Sequence, residues 1–253
     1  MTLDALVTTP VLLVALDFDG TLSPLVDEPM SARMAPAARR AVDALLAVPD
    51  TRVAFVSGRS LADLRVIAEH DDDARELLAG SHGAEFWMPG AGASADTDEA
   101  ATALRDALRA RIAAEISGVP GAWIETKTFG LALHTRLADG ALAPRARDAV
   151  DAVMAEAAPH WRRREGHDVV EFSHRAEGKD AAIARLRAET GASAVLFAGD
   201  DVTDEDAIRS LGPGDVGVRV GPGETAAAVR VDDIDALARL LTGLAHERAA
   251  ARE

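Results

Sequence analysis

The chain of 253 residues contains no cysteine, so disulfide bonds and zinc sites built from thiolates are excluded. No apolar run approaches the roughly 20 residues that a membrane-spanning helix requires. The first residues include Asp4 where a secretion signal would carry basic side chains. We therefore expect a cytoplasmic protein with no membrane partner.

Basic side chains are outnumbered: 27 Lys and Arg stand against 42 Asp and Glu, a formal net charge of -15. This balance argues against nucleic acid as a partner, because nucleic acid rewards clustered positive charge. An anionic small molecule remains a suitable substrate where a metal ion or local cations offset the field. The 253 residues suffice for one large domain or two small ones, and a hydrophobic content of 48% allows a sizeable core. We expect a monomer.

Segments with the pattern of buried strands alternate with segments that suit amphipathic helices. This order predicts an α/β fold with a parallel, Rossmann-like sheet and right-handed crossovers. The strands are expected at residues 11–16, 52–56, 194–198 and 216–220. The helices are expected at residues 35–46, 61–69, 180–189, 204–211 and 234–244, with the tail from 245 a frayed helix end without function.

The middle of the chain has a different pattern, with neighbouring strands and long helices. It predicts a small α+β unit inserted at residues 87–174, within a core formed by residues 1–86 and 175–253. The segment 89–96 is rich in Gly, Ala and Pro and is expected to be a loop. The helices of the inserted unit are expected at 98–116 and 144–158, and its strands at 123–127, 129–136 and 168–172.

The most informative motif is DFDGTL at residues 17–22, directly after the first apolar strand. Ligands of open α/β sheets bind at the carboxyl ends of such strands. Capping of a helix or turn, an ordinary role of Asp, would explain only one of the two carboxylates. Asp17 could attack phosphorus to give an aspartyl-phosphate, while Asp19 protonates the leaving oxygen and later activates water. Gly20 allows the backbone to approach a ligand closely.

Two further segments offer groups for a phosphate. Ser57 follows a predicted strand, where its hydroxyl and nearby N–H groups could hold phosphoryl oxygens, although a Ser-Gly turn alone is common. Lys179 is expected at the start of a helix. It is either an ordinary surface lysine or the fixed cation that a dianionic phosphate beside Asp17 requires.

The run GDDVTDED at residues 199–206 holds five acids in eight residues. It is either a solvated loop that caps the next helix or part of the same site, and its position after a buried strand favours the site. Repulsion among Asp17, Asp19, Asp200 and Asp204 would be relieved by Mg²⁺, which prefers oxygen ligands and bridges to phosphate. The acids therefore predict a magnesium ion, and the ion would allow an acidic pocket to accept an anion.

Together these segments resemble the motifs of the haloacid dehalogenase superfamily of aspartate-nucleophile phosphatases. The resemblance implies that Asp17 is the nucleophile, that Asp19 is the general acid/base and that Lys179 is catalytic. It also implies that Mg²⁺ is held by Asp17, the Asp19 carbonyl oxygen and Asp200, with Asp201 and Asp204 supporting the metal. The phosphate-binding residues on this basis are Gly20, Thr21, Ser57, Gly58, Arg59 and Lys179.

The inserted unit carries polar side chains at strand spacing. Trp123, Glu125 and Lys127 would share one face of a strand, as His134 and Arg136 would share a face of the next. From the pattern alone, this is most simply the solvent face of a half-buried antiparallel sheet.

A closer resemblance, to the trehalose-6-phosphate phosphatase family, gives that face a function. It rests on DFDGTLSPLVDEP at 17–29, GSHGAE at 80–85, ETK at 125–127, LHTR at 133–136, VVE at 169–171 and GDDVTDED at 199–206. It implies a phosphatase for trehalose 6-phosphate whose inserted unit is a cap that selects the leaving group. The residues implied in sugar binding are His82, Gly83, Glu125, Lys127, Arg136 and Glu171. Glu85 and His82 would lie in the hinge or floor of the crevice.

The chain departs from the family pattern at two places. The family often has Glu-x-Arg-Pro ahead of the motif lysine, whereas Ser173 stands here in place of the arginine. Arg175 is a candidate replacement. Thr135 stands where a tyrosine often precedes the cap arginine. Neither change affects Asp17, Asp19 or Lys179.

Other functions fit the core motifs. A phosphatase for sucrose phosphate or a mannosyl-glycerate phosphate would share them, and the segment at 80–85 with the Glu125 and Lys127 pair favours trehalose. A non-catalytic sugar-phosphate sensor would be expected to lack one of the two acids of the first motif. A sugar phosphomutase would need slow attack by water and a second sugar phosphate as acceptor.

Overall fold

The computed structural model describes residues 3–95, 98–166, 168–175 and 178–252. Among these residues, no helix combines the length and the apolar character that a membrane crossing requires. The chain divides into a large unit, residues 1–95 with 177–253, and a small unit, residues 96–176.

Twelve strands and eight α-helices occur in the described residues, and every strand and helix expected from the sequence has a counterpart among them. The strands are β1 (Leu12–Leu16), β2 (Thr51–Val56), β3 (Leu77–Gly80), β4 (Glu85–Met88), β5 (Gly92–Ala95), β6 (Trp123–Lys127), β7 (Gly130–His134), β8 (Arg162–Gly166), β9 (Val169–Ser173), β10 (Ala194–Gly199), β11 (Val216–Val220) and β12 (Val229–Val231). The helices are α1 (Asp4–Thr8), α2 (Pro36–Ala47), α3 (Leu61–Ile67), α4 (Glu99–Glu115), α5 (Ala143–Ala157), α6 (Lys179–Thr190), α7 (Asp204–Ser210) and α8 (Ile234–Ala250).

The large unit is built on one sheet with the strand order β12-β11-β10-β1-β2-β3-β4-β5. The strands from β12 to β3 are parallel, and β4 and β5 are antiparallel. The central strand β1 is buried along its whole length because both faces are covered. Leu12 and Val14 pack with α2 and α8, whereas Leu13 and Ala15 pack with α6 and α7. The α/β class predicted from the sequence is confirmed.

The small unit is a four-stranded antiparallel sheet, β6-β7-β9-β8, with helices on one face. Leu131 and Leu133 of β7 and Phe172 of β9 pack with Ile112 of α4 and Val150 of α5. Since side chains alternate along each strand, the other face is left for the polar residues.

The segment 89–96 was predicted to be a loop, but residues 92–95 form β5, which pairs with β4, and residue 96 lies outside the described residues. The predicted insertion at residue 87 begins inside β4. Because β4 pairs with β3, the structure places both strands in the large unit. Gly90, with positive φ, lies in the turn between the two strands, and Gly92, also with positive φ, begins β5, which is why the composition resembled a loop.

The expectation that the chain frays after residue 244 is wrong. Helix α8 continues to Ala250, and Arg248 is completely buried within it. Its guanidinium donates to the carbonyl oxygens of Leu6 at 2.7 Å and Thr9 at 2.8 Å, and to the Thr51 hydroxyl at 2.9 Å. Burial lowers the pKa of Arg248 to about 10, so the group stays charged at neutral pH. The end of α8 therefore fixes residues 6–9 to β2.

Candidate active site

Asp17 and Asp200 come together because β1 and β10 are parallel neighbours in register. The Asp17 N–H donates to the Ala198 carbonyl oxygen at 2.9 Å, so the two strands end side by side. Carboxylate oxygens of Asp17, Asp200 and Asp204 all lie within 4.8 Å of one another. Gly199 permits this approach, since a Cβ there would lie 2.2 Å from the Asp204 Cγ atom. The structure thus brings together three of the predicted acids.

Lys179 is the first residue of α6 and is 3% exposed. Its Nζ atom donates to Asp17 Oδ1 and, at 2.6 Å, to Asp204 Oδ1. Lys179 is therefore a buried cation that bridges two carboxylates, and it is not the surface lysine that its sequence alone would suggest.

Burial determines the protonation of the cluster. It raises the pKa of Asp17 well above its ordinary value, and the Lys179 ammonium only partly opposes this effect. Burial likewise raises the pKa of Asp200, which a hydrogen bond from Thr21 partly opposes. For Lys179, burial acts to lower the pKa, but attraction to Asp17 and Asp204 outweighs it, so the pKa is raised. When its three carboxyl groups are ionised, the cluster holds more negative charge than one ammonium neutralises.

The donor set fits a hard divalent cation. All three acids offer oxygen atoms, which Mg²⁺ prefers, and one lysine leaves excess negative charge for it to balance. Asp17, Asp200 and Asp204 could hold the ion through their carboxylates. The predicted set, with the Asp19 carbonyl oxygen as a ligand and Asp204 as a supporting residue, stays a prediction. A bound cation would oppose the rise in pKa of Asp17 and Asp200 and favour their ionised forms.

The Asp19 carboxylate is held by Arg59 in a two-point ion pair. Arg59 Nε donates to Asp19 Oδ2 and Nη2 donates to Oδ1, both at 2.7 Å. The hydrogen bonds from Arg59 to Asp19 raise the pKa of the arginine. Such bidentate pairs fix direction as well as charge. Arg59, predicted as a phosphate ligand, is thus a partner of the predicted acid/base in this structure.

The remaining predicted phosphate ligands lie around the same strand ends. Thr21 donates its hydroxyl to Asp200 Oδ1 at 3.0 Å. Ser57 is 2% exposed and accepts from the Arg59 N–H at 3.1 Å. Gly20 has φ +86°, and a Cβ there would lie 2.1 Å from Asp200 Oδ2, so only glycine leaves room for that carboxylate.

His82 and Gly83 belong to a turn of the large unit that contacts the Ser57–Arg59 segment. The His82 N–H donates to the Ser57 carbonyl oxygen at 3.0 Å, and a Cβ on Gly58 would lie 2.6 Å from His82 Nε2. Gly83, with φ +100°, packs against Ala182 of α6. His82 thus lies near the predicted phosphate ligands, whereas Glu125, Lys127, Arg136 and Glu171 belong to the small unit.

Glu85 has a local structural role at the same turn. Its Oε2 atom accepts from the Ser81 hydroxyl at 2.6 Å and from the Leu61 N–H at 3.0 Å, at the start of α3. Ser81 and His82 both have positive φ, at 49° and 56°, an uncommon conformation for non-glycine residues. Glu85 therefore stabilises the strained backbone that presents His82.

The polar face of the small unit is closely connected. Glu125 Oε1 lies 2.7 Å from Lys127 Nζ, and Glu125 Oε2 lies 2.7 Å from His134 Nε2. These two contacts outweigh the opposing effect of burial and lower the pKa of Glu125 to about 2. Glu171, held on β9 opposite Ala132, has its pKa raised by burial, which attraction to Lys127 only partly opposes.

The two arginines predicted near this face both contact aromatic rings of the small unit. The Arg136 guanidinium carbon lies 5.7 Å from the Trp123 ring centroid. The Arg175 guanidinium carbon lies 5.7 Å from the Phe129 ring centroid. The role of Arg175 as a replacement for the family arginine stays a prediction.

Sequence reasoning gave no role to Arg219, which holds the acidic loop in place. This residue of β11 is 8% exposed, and its Nη1 atom donates to the Asp201 carbonyl oxygen at 3.0 Å. Its Nε and Nη2 atoms donate to the Pro222 carbonyl oxygen at 3.2 and 2.9 Å. One arginine in the otherwise apolar strand 216–220 was the signal that could have identified it.

A cavity of about 550 Å³ lies elsewhere in the large unit, near the amino ends of β2 and β3. Its lining includes Thr51, Leu77 and Glu189 and none of the predicted site residues. The acid cluster lies at the opposite, carboxyl ends of the strands, where parallel α/β sheets bind ligands.

The model of the trehalose-phosphatase family matches residues 15–233. A trehalose-phosphate phosphatase of Mycobacterium avium is 36% identical over 216 residues, which cover 80% of this chain and 52% of that protein. This chain spans about half the length of the curated relatives it matches.

Two solved structures share the fold. The C-terminal domain of C. albicans trehalose-6-phosphate phosphatase aligns with a TM-score of 0.77 and 22% identity, over 96% of this chain and 95% of that one. A haloacid dehalogenase-like hydrolase from B. subtilis aligns with a TM-score of 0.61 and 15% identity, over 90% and 98%. Because the family model spans most of the sequence, including every acid of the cluster, the chain belongs to the trehalose-phosphatase family.

Proposed function

We propose that the protein is a Mg²⁺-dependent phosphatase that hydrolyses trehalose 6-phosphate to trehalose and phosphate, in the cytoplasm. The observation that carries this proposal is the cluster of Asp17, Asp200 and Asp204, in which Lys179 bridges the buried Asp17 and Asp204, together with the Asp19–Arg59 pair. A fixed cation beside a nucleophilic carboxylate is what transfer of a dianionic phosphoryl group requires.

Each step of the proposed reaction uses both acids. A carboxylate oxygen of Asp17 attacks phosphorus and the bond from phosphorus to the sugar oxygen breaks. Asp19, protonated and released from its ion pair with Arg59, donates its proton to that oxygen. Water then attacks the phosphorus of the aspartyl-phosphate while Asp19 takes up the proton of the water. The bond between phosphorus and the Asp17 oxygen breaks, and inorganic phosphate leaves.

The other residues hold these two acids in place and balance charge. Lys179 orients the Asp17 carboxylate and offsets the charge of the incoming phosphate. Arg59 fixes the direction of the Asp19 carboxylate through two hydrogen bonds. When bound by Asp17, Asp200 and Asp204, Mg²⁺ would supply positive charge that stabilises the transferring phosphoryl group.

The substrate assignment is supported by the family and by the small unit. The Mycobacterium avium relative is a trehalose-phosphate phosphatase, and the small unit presents Glu125, Lys127, Arg136 and Glu171 around one sheet. Carboxylates and ammonium groups make strong hydrogen bonds to hydroxyls, which suits a disaccharide. Since both acids of the first motif are present, turnover is favoured over a purely sensing role.

The experiment is phosphate release from trehalose 6-phosphate, glucose 6-phosphate and sucrose 6-phosphate, with Mg²⁺ and with EDTA. We expect Mg²⁺-dependent release from trehalose 6-phosphate alone. Preferential release from another sugar phosphate would keep the core chemistry and reject the substrate. Tight binding without release would indicate a sensor, and faster loss of phosphoenzyme on adding a sugar-phosphate acceptor would indicate a mutase.

A further inference from the structure

We propose that Trp123 and His134 are positioning residues that fix the Glu125 carboxylate as a hydroxyl acceptor for the sugar portion of the substrate. The proposal rests on the proposed function, because it concerns how the same enzyme recognises the leaving group. It adds Trp123 and His134 to the residues implied in sugar recognition, and both act through Glu125.

The Glu125 carboxylate is half-exposed, yet it is held at both oxygens. Each of its oxygens has its own partner at 2.7 Å, Lys127 on one and His134 on the other. A surface ion pair contributes about 0–1 kcal/mol to folding. Folding stability therefore gives little reason to hold this carboxylate at both oxygens.

The arrangement follows from the register of the two strands. Trp123 lies directly opposite His134, and Glu125 lies directly opposite Ala132. Because Ala132 is small, the Glu125 side chain can reach the diagonal neighbour His134. The imidazole stands between Trp123 and Glu125 and connects them.

Trp123 determines the orientation of the imidazole. The two rings are stacked, with centroids 4.6 Å apart and planes 8° from parallel. Stacking restricts the imidazole to one plane, so the direction of the Nε2–H bond towards Glu125 is restricted as well. Arg136 adds a guanidinium 5.7 Å from the same Trp123 ring and packs against this platform.

The held carboxylate keeps capacity for a ligand. An ionised carboxylate offers about four lone-pair sites, and the Lys127 and His134 contacts use two of them. The Glu125 side chain is 38% exposed, so its remaining sites face solvent. A hydroxyl that replaces water there meets an acceptor already fixed in direction, which lowers the entropic cost of binding. The class of ligand is therefore the neutral, polyhydroxylated part of a sugar phosphate.

The test removes the hydrogen bond from His134 and the stacking on Trp123 in separate variants. His134→Phe retains the stacking surface and removes the donor, whereas His134→Gln retains a donor without the stacked ring. Trp123→Leu removes the stack and leaves His134 in place. His160→Phe is the matched control, because His160 is exposed in the same unit.

We expect His134→Phe to raise KM for trehalose 6-phosphate roughly ten-fold, as the loss of a hydrogen bond to a charged group implies. Trp123→Leu should raise KM by less, and His134→Gln should recover part of the loss. kcat/KM for p-nitrophenyl phosphate, which has no sugar, should fall far less in each variant. His160→Phe should match the wild type on both substrates.

A second readout is independent of any substrate. Between pH 3 and 6, NMR of the Glu125 carboxyl carbon should show an ionised group in the wild type and a titrating one in His134→Phe. An unchanged Glu125 signal in His134→Phe would overturn the proposal, as would equal losses on both substrates. If the wild type does not hydrolyse trehalose 6-phosphate, the proposed function fails, and the KM comparison is made with the sugar phosphate that it does hydrolyse.

Discussion

The charged clusters of the two units differ most in their contact with water. In the large unit, the side chains of Asp17 and Lys179 are 7% and 3% exposed. In the small unit, those of Glu125 and Lys127 are 38% and 28% exposed. The carboxylate and the ammonium are in hydrogen-bonding contact in both pairs, so the pairs differ in how much water reaches them.

The difference corresponds to the two tasks we assign to the units. Phosphoryl transfer gains from charges held in a region that excludes water, because electrostatic interactions are stronger there. Recognition of hydroxyls gains from charges that water already reaches, since sugar hydroxyls replace that water at little cost. The same residue types therefore serve chemistry in one unit and selection in the other.

The assignment of the chemistry to the large unit is tested most directly by Asp17→Asn. We expect turnover of every phosphate ester to fall about 10,000-fold or more, because a neutral amide cannot replace the carboxylate as the nucleophile. The amide oxygen can still accept from Lys179, so the fold should persist. Phosphate release and circular dichroism measure the two effects, and turnover close to that of the wild type would refute the mechanism.

The effect of burial on stability is measured by comparing Lys179→Met in the buried cluster with Lys127→Met in the half-exposed one. Removing Lys179 leaves the carboxylates of Asp17 and Asp204 buried together, which should lower the free energy of unfolding by about 3–5 kcal/mol. Removing Lys127 from its half-exposed pair should lower it by less than about 1 kcal/mol. Urea denaturation in EDTA measures both, and similar values would mean that burial does not distinguish the clusters.

The division of function is tested by Glu125→Ala and Lys127→Ala. Each should reduce kcat/KM for trehalose 6-phosphate about ten-fold to a hundred-fold, the range expected when a hydrogen bond to a charged group is lost. The reduction for p-nitrophenyl phosphate should be far smaller. Thr126→Ala, on the same strand with its side chain on the other face, is the control. Equal losses on both substrates would remove the selective role of the small unit.

The smallest expected effect is a dependence of stability on acid pH. The pKa of Glu125 is about 2 in the folded chain against an ordinary 4.5. Its pair therefore stabilises the fold fully above pH 4.5, and this contribution is lost as the pH falls towards 2. Because the side chain is more than one third exposed, solvent screening should limit the effect to less than about 1 kcal/mol. Urea denaturation between pH 3 and 6 should show a smaller loss in Glu125→Gln than in the wild type, and identical pH profiles would contradict the assignment.

Several features followed from the sequence because they depend on neighbours along the chain. The buried strand ahead of Asp17, the acidic run after β10 and the alternation of Trp123, Glu125 and Lys127 are local patterns. A strand that is apolar throughout must be covered on both faces, and residues two apart must share a face. The fold class and the predicted residues at the strand ends were accessible for that reason.

Other features depended on groups distant in sequence and were decided by the tertiary structure. Lys179 as a bridge between Asp17 and Asp204, Arg59 as the partner of Asp19 and Arg248 as the anchor of the first residues are long-range contacts. No local pattern around Lys179, Arg59 or Arg248 identifies their partners, because only the folded chain sets which acceptors surround a basic side chain. The sequence determined which chemical groups are available at each strand end, and tertiary packing determined which of them meet and how much water reaches them.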